Sequence, residues 1–125
     1  MEHMENEFGE DQNPTIFGKI LRGEIPADRV WEDVHCIAFA DIEPQAPHHY
    51  LVIPKRRIER LADMTEEHRT LVGHLLWVAH EIAREKGFLE DGFRTVINSG
   101  EKAGQSVFHL HVHVLGGRPM SWPPG

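Results

Sequence analysis

The chain is predicted to fold as an α+β domain, an antiparallel sheet of about five strands with one short and one long helix. Two observations carry that prediction. A single wide apolar stripe at helical spacing occupies residues 66–86, while the other apolar runs are short and alternating. Their order, short helix, three strands, long helix, two strands, is that of an antiparallel sheet with helices packed on it.

Residues 1–13 carry mostly Glu, Asp and Asn with one Phe, too little apolar surface to offset the ordering entropy, and are read as a flexible acidic tail. From Thr15, the apolar residues Ile16, Phe17, Ile20 and Leu21 recur at helical spacing up to Gly23, with Pro26 beyond. Arg29 to Val34 and Cys36 to Ala40 read as a hairpin turning near Asp33. Pro44 and Pro47 place residues 41–47 in a loop, followed by a strand from His49 to Ile53 closed by Pro54. Thr65, with Glu66 and Glu67 after it, suits the start of the long helix, and Leu71, Val72, Leu75, Leu76, Ala79, Ile82 and Ala83 form its stripe until Gly87. Phe93 to Asn98 reads as a strand, residues 99–104 as a loop, and Ser106 to Leu115 as the final strand before Gly116-Gly117. Residues 14–125 therefore form one domain.

At 125 residues, with 40% apolar and 26% charged, one hydrophobic core is expected. The formal charge of −7 disfavours grip on a nucleic-acid backbone, so no nucleic-acid partner is expected. One cysteine, Cys36, excludes an internal disulfide and a multi-cysteine metal cage, and suits a reducing compartment. The acidic start lacks the features of a secretory signal, and no apolar run nears the roughly 20 residues of a membrane-spanning helix. A cytoplasmic protein without a membrane partner is expected.

The chemistry concentrates in His109-Leu110-His111-Val112-His113. On a strand the three histidines share one face, and Leu110, Val112 and Val114 pack on the other. Three protonated imidazoles would repel, so at least one should be neutral near pH 7. Its donor nitrogen can bond a backbone carbonyl while the other attacks phosphorus, and a protonated neighbour can hold the phosphate or deliver a proton. Two of these histidines with His49 could ligate zinc, but neither a cysteine pair nor a close carboxylate motif supports that reading. The preceding loop adds Gly100, Gly104, Gln105 and Ser106, residue types that let backbone and side chains approach an anion, although such residues also simply make turns.

Taken with Gly104 to His109, Gly116-Gly117-Arg118 and Trp122 to Gly125, this run resembles the histidine triad family, and within it the Hint branch of purine nucleoside phosphoramidases. Thr15 to Ile20, Asp41-Ile42, Pro44 to Pro47 and Leu51 to Lys55 extend the resemblance over residues 14–125. It implies a homodimer whose sheets join into one larger sheet. His111 would be the nucleophile, His113 its phosphate-side helper, His109 a support of the strand, and His49 a further active-site histidine. Asn98, Gln105 and Ser106 would contact phosphate, and His113 or Ser106, with His49 nearby, would protonate the leaving amine. Asp41 would meet the ribose hydroxyls, and Ile16, Phe17, Ile25, Phe39 and Ile42 the base, although any one of those five taken singly is better read as core. Members with zinc carry cysteines near the first helix; Thr15-Ile16-Phe17 has no such pair, so neither metal nor other cofactor is expected.

The implied activity is hydrolysis of a purine nucleoside phosphoramidate through a nucleotidyl-histidine. Rivals are a dinucleoside polyphosphate hydrolase and a non-catalytic nucleotide-binding scaffold. The dimer interface is expected on the long helix, where Leu71, Leu75, Leu76 and Trp77 exceed what one sheet face readily covers.

Overall fold

Thr15 begins helix α1 (Ile16–Leu21) by accepting a hydrogen bond on its hydroxyl from the Gly18 N–H at 3.1 Å, which satisfies one of the helix's orphan donors. In this computed structural model residues 13–125 are described, so residues 1–12 of the predicted tail lie outside the described residues. Asn13, which the sequence reading assigned to that tail, is instead buried. Its carboxamide oxygen accepts from the Thr15 N–H and hydroxyl, a turn that binds it to the start of α1.

Strands β1 (Arg29–Glu32) and β2 (Cys36–Ala40) form the expected hairpin. Asp33 shapes its turn by accepting from the backbone N–H groups of His35 and Cys36 at 2.7 and 2.9 Å. Strand β3 (His48–Pro54) pairs with β2 on one side and β5 (Val112–Gly116) on the other, and β4 (Phe93–Val96) pairs with β5. The result is a five-stranded, wholly antiparallel sheet in the order β1-β2-β3-β5-β4.

Helix α2 (Arg69–Lys86) is preceded by a 3-10 turn over Glu66–His68, where the Thr65 N–H donates to His68 Nδ1. It stops at Gly87, whose φ of 86° is the left-handed conformation that glycine adopts without a Cβ penalty. Strand alternation divides the interior in two. Cys36, Ala38, Val52, Val112 and Val114 meet Leu75, Val78, Ala79, Ile82 and Ala83 of α2 on one face. On the other, Ile37, Phe39, Leu51 and Ile53 meet Phe17 and Ile20 of α1.

Several boundaries differ from the sequence reading. The final strand begins at Val112 rather than Ser106, because side chains take the preceding backbone groups. Arg57 donates to Phe108 O and His111 to His109 O, while the Leu110 N–H donates to Ile58 O outside the ladder. The loop after β4 contains a 3-10 turn, Glu101–Ala103, and a further one covers Leu61–Asp63. On α2, Leu75 is fully buried and Leu71 packs against the core, so only Leu76 and Trp77 of the four residues expected at an interface are exposed. Among the described residues no helix is long and apolar enough to cross a membrane.

Val112 has no solvent exposure and packs under α2. Val112→Ala is expected to cost about 1–3 kcal/mol, read as a lowered urea midpoint, without changing the chemistry of the opposite face.

Candidate active site

The tautomers of the histidines follow from fixed backbone groups. His109 Nε2 lies 2.8 Å from the carbonyl of Pro54, which can only accept, so Nε2 carries the proton. His109 Nδ1 then accepts from the Asn13 carboxamide nitrogen at 2.7 Å. His111 Nδ1 lies 2.8 Å from the carbonyl of His109 and donates to it, leaving Nε2 with a free lone pair. The backbone N–H of Gln45 donates to His49 Nδ1 at 3.0 Å, which places the His49 proton on Nε2. That nitrogen faces His113 Nδ1 at 2.9 Å and Asp41 Oδ2 at 3.4 Å. His113 thus accepts at Nδ1 and holds its own proton at Nε2.

Burial pushes all four imidazoles toward the neutral form. His109, fully enclosed, falls to about 4. His113 also falls to about 4, through burial and then the neighbouring His111 and His49. His111 is lowered by burial, opposed by its bond to the His109 carbonyl and by the Asp41 charge, and His49 by burial against Asp41. The protonated neighbour expected from the sequence is therefore absent from the free site. His113 offers an N–H, not a cation.

Beside His111 and His113 opens a cavity of about 420 Å3, within the range of small-molecule sites. Phe17 and Phe39 are its buried aromatic wall, packed edge-to-face at 5.6 Å, and Phe17 also meets the His111 ring edge-on at 5.0 Å. Ile25 lines it, with Ile16 and Ile42 exposed at its margin. Asp41, Asn98 and Ser106 supply polar lining. The predicted apolar and polar residues thus converge, and Ile20, Pro26, Ala27, Leu51 and Val107 join them.

Three predicted site residues do not line the cavity: His49, which bonds His113 from behind, Gln105 and His109. Gln105 is buried, its amide donating to Glu59 O and Val107 O and accepting from the Gly100 N–H, so its side chain braces the loop and is not offered to a phosphate. His109 likewise does not line this cavity and positions His111 through its carbonyl. The residue missed from the sequence is Asn13; the signal was Asn-Pro followed by the helix cap Thr15, a turn-initiating pattern. A carboxylate near the histidines, absent from local sequence, also appears: Asp41, His49 and His113 hold potential ligand atoms within 4.8 Å of one another.

An antiparallel α+β domain with neutral imidazoles at the rim of an apolar cleft matches the architecture of small hydrolase-like folds. The model of the HIT domain matches residues 22–120, and the chain belongs to that family. It is 59% identical over 111 residues to an uncharacterized HIT-like protein of Synechococcus elongatus, covering 89% of this chain and 96% of that protein. A maize protein named 14 kDa zinc-binding protein is 53% identical over 117 residues, covering 92% and 91%. Among solved structures, a HIT family hydrolase from Legionella pneumophila superposes with a TM-score of 0.86 at 46% identity over 88% of this chain and 98% of that one. A histidine triad protein from Clostridium difficile gives 0.85 at 42% identity, covering 89% and 96%.

Two measurements check this geometry. Because the folded state holds His109 and His113 at about 4 against an ordinary 6.5, the unfolded chain binds more protons between those values. Their contribution is complete above pH 6.5 and is expected to be lost as pH falls toward 4, seen as a falling urea midpoint. Gly18→Ala should act on the same network, because a Cβ there meets the Asn13 backbone oxygen at 2.5 Å and its side chain at 2.5–2.6 Å. Displaced Asn13 leaves His109 Nδ1 unpaired, and a loss of about 1–3 kcal/mol with reduced turnover is expected.

Proposed function

We propose that this HIT protein hydrolyses purine nucleoside phosphoramidates, releasing a nucleoside monophosphate and an amine. The observation that carries the reading is the hydrogen bond from His111 Nδ1 to the His109 carbonyl, which directs the free lone pair of a neutral imidazole to Nε2 at the cavity. In the first step Nε2 attacks the α-phosphorus and the P–N bond breaks. The leaving amine needs a proton. A bound phosphoryl anion favours protonated His113, which takes up a proton with the substrate and delivers it to the amine nitrogen. In the second step water attacks the nucleotidyl-histidine, passes its proton to the now neutral His113, and restores the His111 lone pair.

His49 orients His113 at Nδ1, Asp41 favours its cationic form, and Ser106 offers a hydroxyl to the phosphoryl oxygens. Asp41 would accept from ribose hydroxyls. The apolar walls suit a base, with Phe17 and Phe39 deepest. Assembly as a homodimer belongs to the same proposal: β4 ends the strand order, and Leu76 and Trp77 leave apolar surface on α2. Sedimentation of dilute protein as a 14 kDa species alone would refute that part.

His111→Ala is expected to abolish hydrolysis of adenosine phosphoramidate while AMP still binds, and mass spectrometry of quenched wild-type reactions should find the nucleotide on His111. Wild-type turnover by His111→Ala would overturn the proposal, and faster turnover of diadenosine polyphosphates would redirect it to a phosphoanhydride. His113→Ala should slow amine release by about 100- to 10,000-fold, the usual range for a lost general acid. Since burial lowers the His111 pKa, the nucleophile should stay unprotonated as pH drops through 6.5, and because His113 takes up a proton with the substrate, kcat/KM should rise over that range.

A further inference from the structure

On the sheet face opposite the cleft, three different metal-binding side chains meet. Asp33 comes from the β1–β2 turn, Cys36 from the start of β2 and His74 from α2, and one ligand atom of each lies within 4.8 Å of the others. Asp33 Oδ2 is 2.7 Å from His74 Nε2 and 3.6 Å from Cys36 Sγ. We propose that Asp33, Cys36 and His74 form a second, non-catalytic site for a borderline-soft divalent cation, zinc above all, with water as the fourth ligand.

The spacing, the charge and the surroundings each support it. A tetrahedral zinc ion with bonds of about 2.3 Å to sulfur and about 2.0 Å to oxygen places those two ligands about 3.5 Å apart, close to the separation already present. Desolvation, together with the Asp33 carboxylate and its hydrogen bond, pushes the Cys36 thiol up to about 12, so without metal it stays protonated. Binding would transfer that proton to solvent, and one thiolate plus one carboxylate would then neutralise a doubly charged ion in a buried place. Asp33 is already aimed: its Oδ1 is held by two backbone N–H groups, and the Trp31 indole donates to Oδ2 at 2.9 Å, the outer support that ligating carboxylates require. The side chains of Asp33 and His74 are about a quarter exposed, which gives the ion an entrance.

The test uses the full chain stripped with chelator and titrated with cobalt(II), whose thiolate charge-transfer absorption reports sulfur ligation. Wild type and His49→Ala, which dismantles the separate Asp41–His49–His113 cluster, are expected to show that absorption at a single equivalent and a metal-dependent rise in melting temperature. Both signals should vanish in His74→Gln, whose phosphoramidate turnover stays at the wild-type level, and Trp31→Phe should weaken binding by about 10- to 100-fold. Cys36→Ser, if it folds, should lose the absorption. Absence of a thiolate band in folded wild type, equal binding by His74→Gln, or loss only in His49→Ala would overturn the proposal; the trio would then be a metal-free hydrogen-bond network tying the hairpin to α2.

Discussion

The 2.8 Å hydrogen bond from His111 Nδ1 to the His109 carbonyl is the constraint on which the cleft depends. It fixes the imidazole's proton on the far side from the cavity, and it holds only if the carbonyl stays in place. That carbonyl belongs to a residue whose own ring is locked between Asn13 at the head of α1 and Pro54 at the end of β3. One buried relay therefore joins the first helix, a central strand and the reactive side chain. A neutral hydrogen bond contributes only about 1 kcal/mol net, but leaving either buried partner unmade costs about 1–3 kcal/mol. The relay specifies one tautomer chiefly by penalising every alternative.

The same burial explains why the free site is uncharged. Four imidazoles within one network would repel if protonated, and desolvation resolves the conflict by lowering those of His49, His109, His111 and His113 together. Asp41 brings a carboxylate to the cavity end beside His49. Positive charge is thus not stored among the neighbouring histidines.

What could be read from sequence divides along the range of the interactions. Alternation placed His111 and His113 opposite Val112 and Val114, and helical spacing found α2 and its Gly87 stop, because those patterns are local. The apolar set Ile16, Phe17, Ile25, Phe39 and Ile42 was legible through family resemblance, since each alone is indistinguishable from core. Asn13 was hidden because its burial depends on His109, far along the chain, and on a glycine at position 18 that admits its close approach. The late start of β5 was hidden for a related reason: Arg57 and the His111 ring claim carbonyls that a ladder would otherwise use. Gln105 has the composition of a phosphate contact, yet its three loop bonds exist only in three dimensions.

The split interior gives the chain a reading frame of its own. In β2, β3 and the segment entering β5, residues 37, 39, 49, 51, 53, 111 and 113 address the cleft side, whereas 36, 38, 52, 112 and 114 address α2. Odd positions carry the histidines together with the core under α1, and even ones the core under α2, so substitutions can vary either set while the other stays put. Loss or gain of one residue inside these strands exchanges the two sets at a stroke, turning imidazoles into the core and valines toward the ligand. Evolution of this site is therefore free to replace letters but is barred from shifting them.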